Sequence, residues 1–325
     1  MNFAITYVCN SRCKFCNIWK LKPRNELTLE EIKIFARKAK FFKWVRITGG
    51  EPFLRKDYEE IIKVFDENGV YVITTPTNGL TTSLIERKAK NVLSSIRARY
   101  VITVSLDGPK DIHDKIRGIT GSYERSITTY IRLKKLERFY PNFRVMFGYT
   151  ISNLNVGKFF QMVESVRRFI PEITYDDFNV NLVHSSEIYY HTKKKTDIAK
   201  RMKTEVLKIL KKKKPFSSAI DFIEFIYLSL AREYIETKRT PLPCKVYNLS
   251  AFVDPVGNVF PCTIFNFKLG NLRDFNYDIL RILKSRRALK ARKLIKDGKC
   301  PHCWTPCEAH QNIVSNFKAW MFKFL

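Results

Sequence analysis

An α/β fold built around a parallel sheet is predicted for this chain by three observations. Apolar, β-branched runs alternate with helix-like patterns, and six such runs fall within the first 185 residues. Repeated βα units require right-handed crossovers, which leave successive strands parallel. The polar motifs of the sequence fall just past the carboxyl ends of these runs, where parallel sheets collect their ligands. Six repeats are fewer than the eight of a closed barrel.

The first run, Phe3–Val8, leads straight into Cys9. Thr28–Lys40 reads as a helix, because Thr28-Leu29-Glu30-Glu31 puts an acid at the third helical position, as a capping box does. Trp44–Ile47 is the second strand and delivers Thr48-Gly49-Gly50-Glu51-Pro52. The helix Asp57–Asn68 stops at Asn68-Gly69, a helix-end glycine. Val70–Thr75 then precedes Thr77-Asn78-Gly79, and the helix Ser83–Leu93 returns the chain to Tyr100–Ser105 and Asp107. Arg144–Ile151 and Phe178–Val183 complete the strands.

Cys9, Cys13 and Cys16 lie within eight residues on the first loop. Iron–sulfur clusters ordinarily take four thiolates, so three on one loop leave one iron for a small molecule. Half a zinc site or unused thiols are the alternatives; zinc wants a fourth Cys or His at short spacing, and the nearest histidine is His113. Two glycines at 49 and 50 let backbone approach a ligand closely, and Glu51 offers a carboxylate beside them.

These residues, in this order, resemble the radical S-adenosylmethionine (SAM) superfamily. The likeness continues through Ser105-Leu106-Asp107-Gly108-Pro109, His113-Asp114, Arg117-Gly118 and Gly121-Ser122-Tyr123, and is greatest to the branch of anaerobic sulfatase-maturating and peptide-modifying enzymes. It implies a partial (β/α)6 TIM-like barrel. A SAM-bound 4Fe–4S cluster would sit on Cys9, Cys13 and Cys16, with SAM contacted by Gly49, Gly50, Glu51, Pro52, Asn78, Ser105 and Asp107. Arg125 is the expected partner of the SAM carboxylate. His113 and Arg117 read as a loop network shaping the rim. The implied chemistry is reductive cleavage of SAM to a 5′-deoxyadenosyl radical and hydrogen abstraction from an unactivated carbon. A one-electron donor such as ferredoxin or flavodoxin is then required.

A second signature follows. Cys244 precedes Asp254-Pro-Val-Gly257-Asn258, a hairpin turn between apolar alternations, and then come Cys262, Leu269-Gly270-Asn271-Leu272 and Cys300-Pro-His-Cys303-Trp-Thr-Pro-Cys307. This resembles a SPASM or twitch domain. Five cysteines against the seven of a full SPASM domain imply one auxiliary 4Fe–4S cluster, on Cys244, Cys262 and two of Cys300, Cys303 and Cys307; the close pair Cys300 and Cys303 is the first choice, which leaves Cys307 as a spare ligand or a thiol near the substrate. Structural zinc on the same residues is the rival. The expected organisation is a radical SAM core over 1–185, a basic helical bridge over 186–240 and an auxiliary-cluster domain with an amphipathic tail over 241–325.

Lys plus Arg at 59 against Asp plus Glu at 31 gives a net charge of +28, a field that favours anionic partners. Lys193–Lys195 and Lys211–Lys214 read as solvated helix faces. The aromatic, lysine-bearing tail from Ile313 reads either as docking on an anionic membrane surface or as a terminal helix capping the core. A heat-adapted source would also raise basicity. No secretion signal is recognisable and no apolar stretch spans a bilayer, so clustered cysteines point to metal ligation in a reducing cytoplasm. An electron carrier without turnover would have no use for Gly49–Pro52. A nucleic-acid binder is supported by charge alone, with no recognition signature. Peptide modification, oxidation of a small alcohol and modification of a lipid or cofactor all remain open.

Overall fold

The computed structural model describes residues 1–192, 200–214 and 219–317. Six parallel strands form the body of one sheet: β1 Asn2–Thr6, β2 Trp44–Gly49, β3 Val72–Thr77, β4 Arg99–Ser105, β5 Phe143–Ile151 and β6 Phe178–Leu182. All six expected strands are present, as an open (β/α)6 barrel. Three short strands, β7 Phe252–Val253, β8 Asn258–Phe260 and β9 Gly270–Asn271, extend it in the order β6-β5-β4-β3-β2-β1-β7-β8-β9. The expected hairpin is therefore continuous with the barrel: β7 runs parallel to β1, and the Asp254 N–H donates to the Asn258 carbonyl across a turn completed by Gly257 at φ 86°.

Helices α1 Leu29–Lys38, α2 Tyr58–Glu67, α3 Thr82–Leu93, α4 Lys110–Arg117, α5 Ser122–Leu136 and α6 Phe159–Arg167 lie between the strands. The capping box of α1 is reciprocal, with the Glu31 N–H 3.2 Å from Thr28 Oγ1 and the Thr28 N–H 2.8 Å from Glu31 Oε2. It fixes the register that turns Ile32, Phe35 and Ala36 into the core. The residues His113 to Arg117, expected in a loop, form α4.

Each strand buries an apolar row against these helices. Val45, Ile47, Ile73, Ile102, Val104, Val145 and Phe147 are inaccessible to solvent. The opposite row carries Arg46, Thr48, Thr103, Ser105, Asn179 and Asn181 and lines open space. A closed barrel fills its interior with branched side chains; this one keeps a hollow lumen, lined by polar residues toward the carboxyl ends of the strands and by a mixture including Val72, Val101 and Met146 below them.

The stretch expected as a basic bridge contains α7 Lys200–Leu210 and α8 Ala219–Thr237, which pack on each other, α8 also on β6. Buried Glu224 accepts the Val180 N–H at 2.8 Å, and Arg144 pairs with Asp221 at 2.9 Å. The lysine run 211–214 is not wholly a solvated face: Lys213 is buried and donates to the Phe178 carbonyl. Lys193–Lys195 lie outside the described residues.

The remaining helices are α9 Val246–Leu249, α10 Ile279–Leu283, α11 Arg286–Lys296 and α12 Pro306–Ser315. In α12, Ile313 is buried, and beyond it Asn316 donates to the Pro243 carbonyl at 3.0 Å. The chain through Asn316 thus caps the core, and the expected docking segment shrinks to residues 318–325, outside the described ones. No helix among the described residues is long and apolar enough to cross a membrane.

Candidate active site

The loop leaving β1 carries Cys9, Cys13 and Cys16, and the end of α4 holds it in place. The Arg12 N–H donates to the Arg117 carbonyl at 3.0 Å, Lys14 N–H to Ile116 at 2.9 Å and Ser11 Oγ to Arg117 at 3.1 Å. Gly118 makes this contact possible, since a Cβ there would lie 2.6 Å from the Arg12 carbonyl oxygen. On the other side, the Asn17 N–H donates to the Tyr190 carbonyl at 2.8 Å.

The glycine pair brings the β2 loop flush against this one. A Cβ on Gly49 would sit 2.3 Å from the Thr6 carbonyl oxygen, and one on Gly50 2.2 Å from that of Val8. The resulting bonds, Gly50 N–H to Thr6 and Glu51 N–H to Val8, are each 2.8 Å. Close backbone approach, expected toward a ligand, is here first an approach of one loop to the other.

Glu51 is buried at the end of this segment. Its carboxylate accepts from Thr77 Oγ1 at 2.9 Å, the Asn78 N–H at 2.7 Å and the Phe53 N–H at 3.3 Å. Burial nevertheless pushes its pKa up to about 7. Asn78 Nδ2 donates to Asn10 Oδ1 at 2.7 Å, tying the β3 loop to the cysteine loop.

Cys9, Cys13, Cys16, Gly49, Gly50, Glu51, Asn78 and Ser105 all line one cavity of about 150 Å³. Pro52, Asp107 and Arg125 do not. Pro52 is buried at the start of a short helical turn. Asp107 lies behind the wall, where its carboxylate pairs with Arg117 at 2.5 Å and accepts the Thr150 N–H at 3.1 Å. Arg125 is exposed on α5, one position short of the buried face; its neighbour Ser126 is the residue that reaches the Asn78 carbonyl. Two guanidinium groups do line the cavity, Arg46 and Arg117, and Arg117 Nη1 is 3.6 Å from Cys13 Sγ. His113 supports it from behind: Nδ1 accepts the Asp107 N–H at 3.0 Å, and burial with the nearby Arg117 lowers its pKa to about 3.

Sequence reasoning missed Arg46, Thr103, Asn181, Tyr189 and Tyr190 on the same wall. Tyr189 shares a 2.7 Å hydrogen bond with Thr48, so the segment after β6 closes over the barrel mouth. The signal available was the polar inward row of the strands.

All eight cysteines are free thiols. Burial pushes Cys9 and Cys16 up to about 12, and the neighbouring thiols add to the rise. Raised in this way they stay protonated thiols, and ionise only with a cationic partner. Among the described residues no three His, Cys, Asp or Glu converge as a single-ion site. Three thiols on one loop lining one cavity are the donor type an iron–sulfur cluster takes.

Cys244, Cys262, Cys300 and Cys303 form a second group. Burial raises Cys244 to about 11, with Glu308 and Cys300 adding; Cys262 rises under burial and the charges of Glu308 and Cys244, and Cys303 under burial and the charges of Cys262, Glu308 and Cys244. Cys307 stands apart: it lines the barrel lumen, where burial raises its pKa and Arg46 lowers it.

Residues 3–165, half of the chain, match the model of the radical SAM superfamily. The chain belongs to the radical SAM superfamily. Residues 244–307 match SPASM, an iron–sulfur cluster-binding domain. A radical SAM enzyme carries a SAM-bound 4Fe–4S cluster, and the SPASM domain carries auxiliary iron–sulfur centres. The AdoMet-dependent heme synthase of Methanosarcina barkeri is 26% identical over 93% of this chain and 87% of its own length. The Fe-coproporphyrin III synthase of the same organism is 32% identical, over 38% of this chain and only 31% of its own length. Streptococcus suis SuiB bound to S-adenosylmethionine shares the fold, with a TM-score of 0.60 and 16% identity across 90% of this chain and 67% of that one.

Proposed function

We propose that Cys9, Cys13 and Cys16 hold the SAM-bound cluster and that this enzyme abstracts hydrogen from an unactivated carbon of a substrate in the barrel lumen. The observation carrying this reading is that the three thiols, Glu51, Asn78 and Ser105 line one cavity at the carboxyl ends of parallel strands. When bound, the cluster supplies the electron that cleaves SAM to methionine and a 5′-deoxyadenosyl radical. Glu51 pairs with the SAM ammonium, Gly49 and Gly50 clear the space beside it, and Ser105 faces the ribose or carboxylate. Arg117, set by Asp107, steadies the Cys13 thiolate. The role first given to Arg125 has no support in its exposed position.

Cys244, Cys262, Cys300 and Cys303 hold one auxiliary 4Fe–4S cluster in this reading. Residues 1–185 form the catalytic barrel, 186–240 the bridge and 241 onward the auxiliary domain. The reductant is an acidic one-electron donor such as ferredoxin or flavodoxin, drawn by the basic surface. Anaerobically reconstituted protein given dithionite and SAM is expected to form 5′-deoxyadenosine, and Cys13→Ala to abolish it. Equal production by the variant would refute the assignment.

A further inference from the structure

The cavity lined by Glu51 and the cysteines does not end at the barrel's waist. A second cavity, of about 290 Å³, lies below it, and the two share Arg46, Pro76 and Thr103. They form one lumen, floored by Cys307 and His310 of α12.

Arg46 projects from β2 at the junction. Among the described residues it makes no ion pair, and its Nε, buried, has no hydrogen-bond acceptor. Cys307, Tyr189, Tyr190 and Glu308 act on it electrostatically in that order, yet Glu308, the carboxylate among them, is not within ion-pair distance; its Oε1 accepts from Asn2 and Thr263, and its Oε2 has no hydrogen-bond partner among the described residues. An enclosed guanidinium with no directly paired anion is costly, so its open Nε calls for a ligand. The larger cavity has Arg99 at its other end and, among the described residues, no Asp or Glu in its lining. Between the arginines its wall is apolar, with Val72, Val101, Met146 and Ile223.

Building on the reading that the smaller cavity holds SAM, we propose that Arg46 is the receptor for an acidic group, carboxylate or phosphate, of an otherwise apolar substrate. Arg46 grips the oxyanion through charge-assisted hydrogen bonds, and the apolar wall takes the adjoining carbons. The substrate is thereby held at the boundary of the SAM cavity by its charge.

Calorimetry on the reconstituted holoenzyme with saturating SAM tests this, using hexanoate, hexyl phosphate and hexanol as probes. At least one anion is expected to bind tighter than hexanol by roughly tenfold or more. Arg46→Gln removes that preference, and Arg46→Lys keeps part of it. Tighter hexanoate names a carboxylate, and tighter hexyl phosphate a phosphate. Hexanol binding as well as both anions, which needs no variant to observe, or Arg46→Gln retaining the wild-type preference, overturns the proposal. Calorimetry reads binding without turnover, so a failure of the wild type to form 5′-deoxyadenosine would count against the SAM reading and leave the anion preference to be judged by itself.

Discussion

Glu51 sits in the protein as a carboxylate that burial holds close to neutrality. Its pKa, 4.5 in the unfolded chain, rises to about 7 because desolvation outweighs the donors Asn78, Thr77 and Phe53. For an acid raised in this way the folded state favours the proton. The penalty for ionising it is absent below the unfolded value and grows as pH climbs toward 7. An ammonium placed in the cavity reverses the balance, since it favours the charged form. SAM affinity is therefore expected to strengthen between about pH 6 and about pH 8. Glu51→Gln should bind SAM roughly tenfold more weakly at the upper end and show a flat profile. Titration calorimetry on the anaerobic protein at several pH values decides the matter, and an identical slope in the variant would place the ammonium elsewhere.

At the scale of elements, α12 assigns different tasks to cysteines close in sequence. Cys303 precedes the helix and lies with Cys244 and Cys262, whereas Cys307, in its first turn, faces the lumen. Triple substitution of Cys9, Cys13 and Cys16 by Ala is expected to leave roughly four irons per chain. Cys303→Ala should lose the auxiliary iron, and Cys307→Ala should retain both sets. Iron and acid-labile sulfide assays read this directly; loss of four irons from Cys307→Ala would make Cys307 a ligand. The spacing Cys300-Pro-His-Cys303-Trp-Thr-Pro-Cys307 could not distinguish these roles, because a helix start between two cysteines sets their directions. The strands were legible because β-branched runs buried against helices leave a local pattern, and the cysteines, Glu51, Asn78 and Ser105 because they end those runs. Arg125 lies on the solvent side of its helix, where a single residue turns a side chain from the core to solvent. Arg46 and Tyr189 carry no local mark; only the closing of a hollow sheet brings them to the site.

Across the whole molecule, a net charge of +28 surrounds the lumen proposed as the reaction site, and radical SAM chemistry needs an electron from outside. The described part of the C-terminus packs into the core through Ile313 and Asn316, so the basic surface as a whole is the better candidate for a docking field. Charges of one sign accelerate encounter with an oppositely charged protein and lose that effect as salt shortens the Debye length to about 8 Å near physiological strength. Complementary surfaces act mainly on association rate. With reduced flavodoxin limiting, 5′-deoxyadenosine formation is expected to slow by roughly tenfold between low and physiological salt. With excess dithionite, whose encounter involves two charges rather than a protein surface, the rate should change far less. Equal salt dependence for the two reductants would mean that the basic surface has no part in electron delivery. A slowdown confined to flavodoxin would tie the charge excess to the reaction that the lumen is built to perform.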